Sequence, residues 1–66
     1  MAIAKTIEVI ANSTSGIEDA VRSGIAKVGE TVKNIEGAWV KDTKAVIRDG
    51  SVAEWRVTLV VTFIVE

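Results

Sequence analysis

Two tryptophans and one arginine are the side chains of this 66-residue chain that could hold a small molecule. Trp39 offers a ring on which a flat ligand could stack, or an apolar group at a boundary between subunits. Arg56 carries hydrogen-bond donors and no acceptor, so it favours phosphate or carboxylate. The alternative, which we slightly favour, is that it pairs with Glu54, Glu66 or a carboxylate of a neighbouring subunit. Trp55 alternates with apolar residues, and we expect it in the core.

The residue types that most enzyme mechanisms need are missing from the sequence. There is no Cys, His or Tyr, no glycine-rich loop with a phosphate-binding lysine, and no nucleophile beside an evident base. The acidic residues are scattered, without the alternating oxygen ligands of a calcium loop. We therefore predict a protein with no catalytic residues and no metal site of its own, although a cation shared by subunits at a symmetry axis stays an alternative.

Size and composition indicate one small domain, residues 1–66, that depends on partners of its own kind. A domain of this length buries only about 60% of the surface that its unfolded chain exposes. Disulfides and zinc, two usual remedies, are excluded by the absence of Cys and His. Self-association is the remaining device, and we expect a homo-oligomer.

Charge and hydropathy exclude two classes of partner. Eight basic and nine acidic residues are interspersed and give a net charge of -1, so we expect no nucleic acid. The most apolar stretch, Val57–Val65, is far shorter than the roughly 20 residues of a membrane-spanning helix. The first ten residues do not match a secretory signal, and we expect a cytoplasmic protein without a membrane partner.

The pattern of residues predicts a strand and then a helix. Lys5–Ile10 is rich in β-branched residues that alternate with polar ones. Ser15 and Glu18 have the spacing of a capping box. Gly24 and Gly29 are unfavourable inside a helix, so either packing is close there or the helix is weak. An apolar stripe then follows the helical period for about five turns and must pack on a sheet: Ile17, Val21, Ile25, Val28, Val32 and Ile35.

Two further strands complete the predicted fold. Asn34–Gly37 ends the helix, and Ala38–Ile47 reads as the second strand. Asp49 and Gly50 form a hairpin turn signal, followed by the third strand, Val52–Val65. The fold class is α+β: a β-α-β-β subunit with a three-stranded antiparallel sheet packed on one helix.

The third strand has two distinct faces. We expect the helix to dock on the more apolar one, which carries Trp55, Val57, Leu59, Val61, Phe63 and Val65. The other face carries Glu54, Arg56, Thr58, Val60, Thr62 and Ile64. This second set, joined by Ile10 of the first strand, is too apolar for contact with water alone. We expect it to meet neighbouring subunits.

The order and length of these elements resemble those of the dodecins. The similar segments are the helix start Gly16–Val21, the helix end Thr31–Ile35, the hairpin at Asp49 and Gly50, and the final strand Val57–Phe63. The resemblance implies a hollow homododecamer with helices outside and sheets around the interior. It also implies a flavin as ligand.

The chain departs from the flavin-binding dodecins at two positions. Their stacking Trp after the helix is replaced by Gly37, and the Gln that bonds the edge of the flavin is replaced by Arg56. Their acidic residue near the ligand is kept as Asp42. Trp39 follows Gly37 on the same strand face, displaced by about 6.6 Å. The resemblance therefore implies a ligand site at Gly37, Trp39, Asp42 and Arg56.

The sequence thus predicts non-catalytic binding and sequestration of a flavin, which could be riboflavin, FMN or FAD. The alternative is a dodecin-like shell that does not bind flavin, and that instead binds another anionic ligand or a metal ion, or is purely structural. An enzyme built on this sheet is a third hypothesis, which no motif favours.

Overall fold

The computed structural model describes residues 2–65 as one helix and three strands. The elements are β1 (Ile3–Ser13), α1 (Ile17–Val28), β2 (Ile35–Arg48) and β3 (Ser51–Val65). The sheet order is β1-β3-β2, and both strand pairs are antiparallel. The predicted β-α-β-β order and fold class are therefore confirmed, and all three strands are longer than predicted. Within residues 2–65, no helix is long and apolar enough to cross a membrane.

The prediction of a capping box formed by Ser15 and Glu18 is wrong, because the helix begins in a different way. The residue before the helix is Gly16, which has no side chain to act as a cap. Instead, the buried Ser13 Oγ accepts hydrogen bonds from the backbone N–H groups of Ser15 at 2.9 Å and Gly16 at 3.3 Å. The same hydroxyl donates to Asp19 Oδ2 at 2.6 Å. The last residue of β1 therefore fixes both the loop and the first turn of the helix.

The helix is also shorter than predicted, because Val32 and Ile35 are not part of it. It ends at Val28, and Asn34 then adopts a left-handed conformation with φ of 62°. The carbonyl of Asn34 accepts a hydrogen bond from the backbone N–H of Ile64 at 3.0 Å. This bond aligns the chain with β3, so that Ile35 starts β2 and reaches the same core from the sheet.

The core lies between the helix and the middle of β3. Its fully buried residues are Ala20, Val57, Leu59 and Val61. Partly buried residues pack around them: Ile7, Val9, Ala11, Val21, Ile25 and Ile35. The predicted helix-facing side of β3 is therefore confirmed, and β1 contributes more than the sequence suggested.

Four predicted core residues are less buried than expected. Trp55 and Phe63 are half-buried, and Ile17 and Val65 are exposed. The cause is length: twelve helical residues extend about 18 Å, whereas the fifteen residues of β3 extend about 50 Å. The helix therefore covers the centre of the sheet and leaves both ends of β3 partly open within one subunit.

Close packing between the helix and β1 explains why a glycine occupies position 24 of the helix. A Cβ atom at Gly24 would lie 2.9 Å from the Cβ of Ala11, too close for any real contact. The glycine thus lets the helix approach β1, and the adjacent turn places Ala20 at the core. Gly29 has a different role, because it follows the last helical residue and its N–H donates to the carbonyl of Ile25 at 2.9 Å.

Candidate ligand-binding face

The side of the sheet that faces away from α1 carries all four predicted site residues. We call it the open face, because no element in the part of the chain that the structure describes packs on it. Its assignment follows from Leu59, which is buried under the helix, so that Thr58 and Val60 must point the other way. Strand pairing then adds the neighbours on either side: Thr6, Glu8, Ile10 and Asn12 of β1, and Gly37, Trp39, Asp42 and Lys44 of β2.

A β-bulge brings Asp42 to the same side as Trp39. Strict alternation would place an even-numbered and an odd-numbered residue on opposite sides of the strand. The register shifts between Val40 and Asp42, leaving Lys41 as the extra residue. Trp39 consequently lies opposite Val60 while Asp42 lies opposite Thr58, and both partners belong to the open face.

The four predicted residues form a line along the open face rather than one compact cluster within a subunit. Gly37 lies opposite Thr62 and Trp39 opposite Val60, while Asp42 lies opposite Thr58, two positions from Arg56. Thr62 and Arg56 are six positions apart on β3, about 20 Å along the strand. A single ligand could therefore contact one part of this line closely and the far end only through its extended parts or through a second subunit.

The pair Gly37 and Trp39 borders an open groove of about 400 Å³, lined by Glu36, Gly37, Ala38, Trp39 and Thr62. The indole of Trp39 is 66% exposed. Nothing lies within 4 Å of where a Cβ of Gly37 would be, so the glycine leaves space beside the ring. The groove can accept a flat apolar group stacked on the tryptophan.

Arg56 is held by neighbours in the same subunit. Its Nε donates to Asn12 Oδ1 at 3.0 Å, and its Nη2 donates to Glu54 Oε1 at 3.4 Å. Glu54 is only 19% exposed and also lies 3.7 Å from Arg48 Nη1. The predicted pairing of Arg56 with Glu54 is therefore confirmed, and two of the arginine nitrogens have protein partners.

Sequence reasoning missed a polar pair on the open face. Lys41 Nζ donates to Glu8 Oε1 at 3.1 Å, joining the two outer strands across β3. Glu8 of β1 and Trp39 of β2 both pair with Val60 of β3, so they flank it on the same face of the sheet. Alternation along β1 could have placed Glu8 on this face. The side on which Lys41 lies could not be predicted, because it is the extra residue of the bulge.

A second groove, of about 360 Å³, lies between the helix and β1, and none of the four predicted site residues lines it. Its polar side chains include Ser23 and Lys27, and Lys27 pairs with Glu30 at 3.5 Å. It has no aromatic ring to hold a flat ligand. Across residues 2–65, moreover, no three acidic, His or Cys side chains come together as a metal site would require. The open face is therefore the stronger candidate.

Comparison with known proteins agrees with the geometry of the fold. The family model described as Dodecin matches residues 3–66. A dodecin of Thermus thermophilus is 29% identical over 62 residues, which span 94% of this chain and 90% of that protein.

Solved structures give the same result. The dodecin from Streptomyces davaonensis superposes with a TM-score of 0.93 at 26% identity, covering 98% of this chain and 96% of that one. The dodecin from Streptomyces coelicolor gives a TM-score of 0.94 at 29% identity, covering 98% and 93%. Because the family model covers nearly the whole sequence, this chain belongs to the dodecin family.

Proposed function

We propose that this protein is a non-catalytic, cytoplasmic homododecamer that binds and sequesters a flavin on its open face. The observation that carries the proposal is the position of Trp39. Its indole is 66% exposed, beside a groove on a sheet face that already presents Val60 and Ile10. Such an aromatic ring on an apolar surface is typical of a binding site.

The small core supports self-association. Only four apolar side chains are fully buried in the described part of the subunit, and Ile10 is 63% exposed on the open face. Val40, on the helix side of β2, is 49% exposed. Burying these groups against further copies would supply the apolar contact that one subunit lacks. On this view residues 1–66 form one domain whose stability depends on assembly.

A flavin suits the chemistry of the open face near Trp39. Its fused ring system is flat and largely apolar, with polar atoms along one edge. Trp39 supplies a stacking surface, Val60 an apolar floor and Thr62 a hydroxyl at the rim of the groove. Gly37 removes the side chain that would occupy the space beside the indole.

The alternative is a dodecin shell that does not bind flavin. It is favoured by Arg56, which stands where flavin-binding members have Gln and is engaged by Asn12 and Glu54. In that case the assembly binds another anionic ligand or a metal ion, or has a structural role. Binding of riboflavin decides between the two functions.

Titration of riboflavin with the assembled protein is expected to quench flavin fluorescence through stacking on Trp39. Replacing Trp39 with Ala should weaken binding by about 10-fold or more, because both the aromatic contact and its buried area are lost. Ile17→Ala is the control: it removes an exposed apolar side chain from the first helical position, away from the open face, and should leave the affinity unchanged.

Two results would contradict the proposal. If the wild-type assembly leaves riboflavin fluorescence unchanged, the shell without flavin is the better description. If Trp39→Ala and Ile17→Ala reduce the affinity equally, the ligand binds somewhere other than the open face.

A further inference from the structure

We propose that Glu8 and Lys41 together bind the imide edge of the flavin ring. The inference rests on the proposed function, since it assigns the polar contacts of the same site. Its basis is the ion pair of 3.1 Å between these side chains, which lies on the open face next to Trp39.

The chemistry of the imide edge explains why a pair is needed. The edge presents an N–H donor flanked by two carbonyl acceptors. A Gln amide supplies an acceptor and a donor to such an edge, whereas the guanidinium of Arg56 supplies donors alone. The carboxylate of Glu8 can accept from the ring N–H, and the ammonium group of Lys41 can donate to a carbonyl. The pair therefore supplies both the acceptor and the donor that this edge needs, whereas Arg56 alone has no acceptor.

The strand register puts the pair within reach of a stacked ring. Glu8, Val60 and Trp39 form one row across the sheet, from β1 through β3 to β2. Adjacent strands lie about 4.8 Å apart, so the first and last residues of the row are separated by about 10 Å. A three-ring system that stacks on the indole with its imide edge towards β1 would cross Val60 and end beside the carboxylate.

The pair also has capacity left for a ligand. The side chains of Lys41 and Glu8 are 55% and 54% exposed, so solvent reaches both. Their mutual contact joins Nζ to Oε1, which leaves Glu8 Oε2 and further ammonium hydrogens for other partners. Ion pairs as exposed as this one contribute little to stability, so substitutions here should leave the fold intact.

Riboflavin and riboflavin methylated at the ring imide nitrogen are the probes for this assignment. Methylation removes the N–H group from which Glu8 would accept a hydrogen bond. It should therefore weaken binding to the wild-type assembly by about 10-fold. Glu8→Met and Lys41→Met should each weaken riboflavin binding by a similar factor. With Glu8→Met, the methylated and unmodified ligands should bind about equally, which a merely structural role would not produce.

The helix surface supplies a matched control pair. Arg22 and Glu18 form an exposed ion pair of 3.2 Å on α1, away from the open face. Glu18→Met and Arg22→Met should leave the affinity for riboflavin unchanged, although they change the net charge by the same amounts as the test variants.

Several outcomes would overturn the assignment. The assignment to Glu8 and Lys41 fails, while the proposed function stands, under the following result. The wild-type assembly binds riboflavin, and the affinities of all four test and control variants stay within about twofold of the wild-type affinity. The assignment also fails if the control variants weaken binding as much as the test variants, since the effect would then be general electrostatics. If the wild-type assembly does not bind riboflavin at all, this inference and the proposed function fail together.

Discussion

Replacing Leu59 with Ala is expected to lower the free energy of unfolding by about 2 to 5 kcal/mol, the largest stability effect in the chain. Leu59 is fully buried between the sheet and the helix, and a Cβ at Gly24 would lie 3.4 Å from its Cδ1. Truncation would leave a cavity where the helix packs on the middle of β3. Denaturant unfolding at a fixed subunit concentration measures the loss, because assembly makes stability depend on concentration.

Ile17→Ala is the control for this prediction. The sequence places Ile17 in the same apolar stripe, but the structure leaves it exposed at the first helical position. Its truncation should cost less than about 1 kcal/mol. A cost below about 1 kcal/mol for Leu59→Ala, or a larger cost for Ile17→Ala, would contradict the core described here.

Replacing Val60 with Glu is expected to shift the assembly towards smaller species. Val60 lies at the centre of the open face, between Glu8 and Trp39. A carboxylate placed in an apolar contact between subunits would lose its hydration without gaining a partner, at a cost of several kcal/mol. Glu8 would also repel the new charge from the neighbouring strand. Sedimentation velocity at micromolar concentration would detect the smaller species.

Ser23→Glu adds the same charge to the exposed surface of the helix and should leave the assembly intact. If Val60→Glu assembles as the wild type does, the centre of the open face around Val60 does not form contacts between subunits. The subunits would then have to associate through a different surface.

Local patterns predicted those parts of the fold that local chemistry determines. The alternation along β3 correctly identified the face buried by the helix, and Asp49 and Gly50 form the expected turn, with φ angles of 53° and 77°. The predicted length of the helix was wrong because Val32 and Ile35 continue the helical period by coincidence. Ile35 is apolar for a different reason, since it packs on the core from β2. A one-dimensional pattern cannot distinguish these two origins.

The candidate site was only partly predictable, because its geometry depends on strand register. Gly37, Trp39 and Arg56 lie on one face as predicted, and that prediction combined alternation along each strand with the resemblance to the dodecins. The side on which Asp42 lies depends on the bulge at Lys41, which no turn or breaker residue marks. The contact of Lys41 with Glu8 joins residues 33 positions apart and follows from the pairing of all three strands.

Native mass spectrometry of the protein equilibrated with riboflavin tests the central claim most directly, because it reports subunit number and retained ligand together. The expected result is a single dodecameric assembly that carries bound riboflavin. A folded monomer at micromolar concentration, or a dodecamer that retains no flavin while Trp39→Ala behaves identically, would contradict the claim that the open face of this assembly is a flavin site.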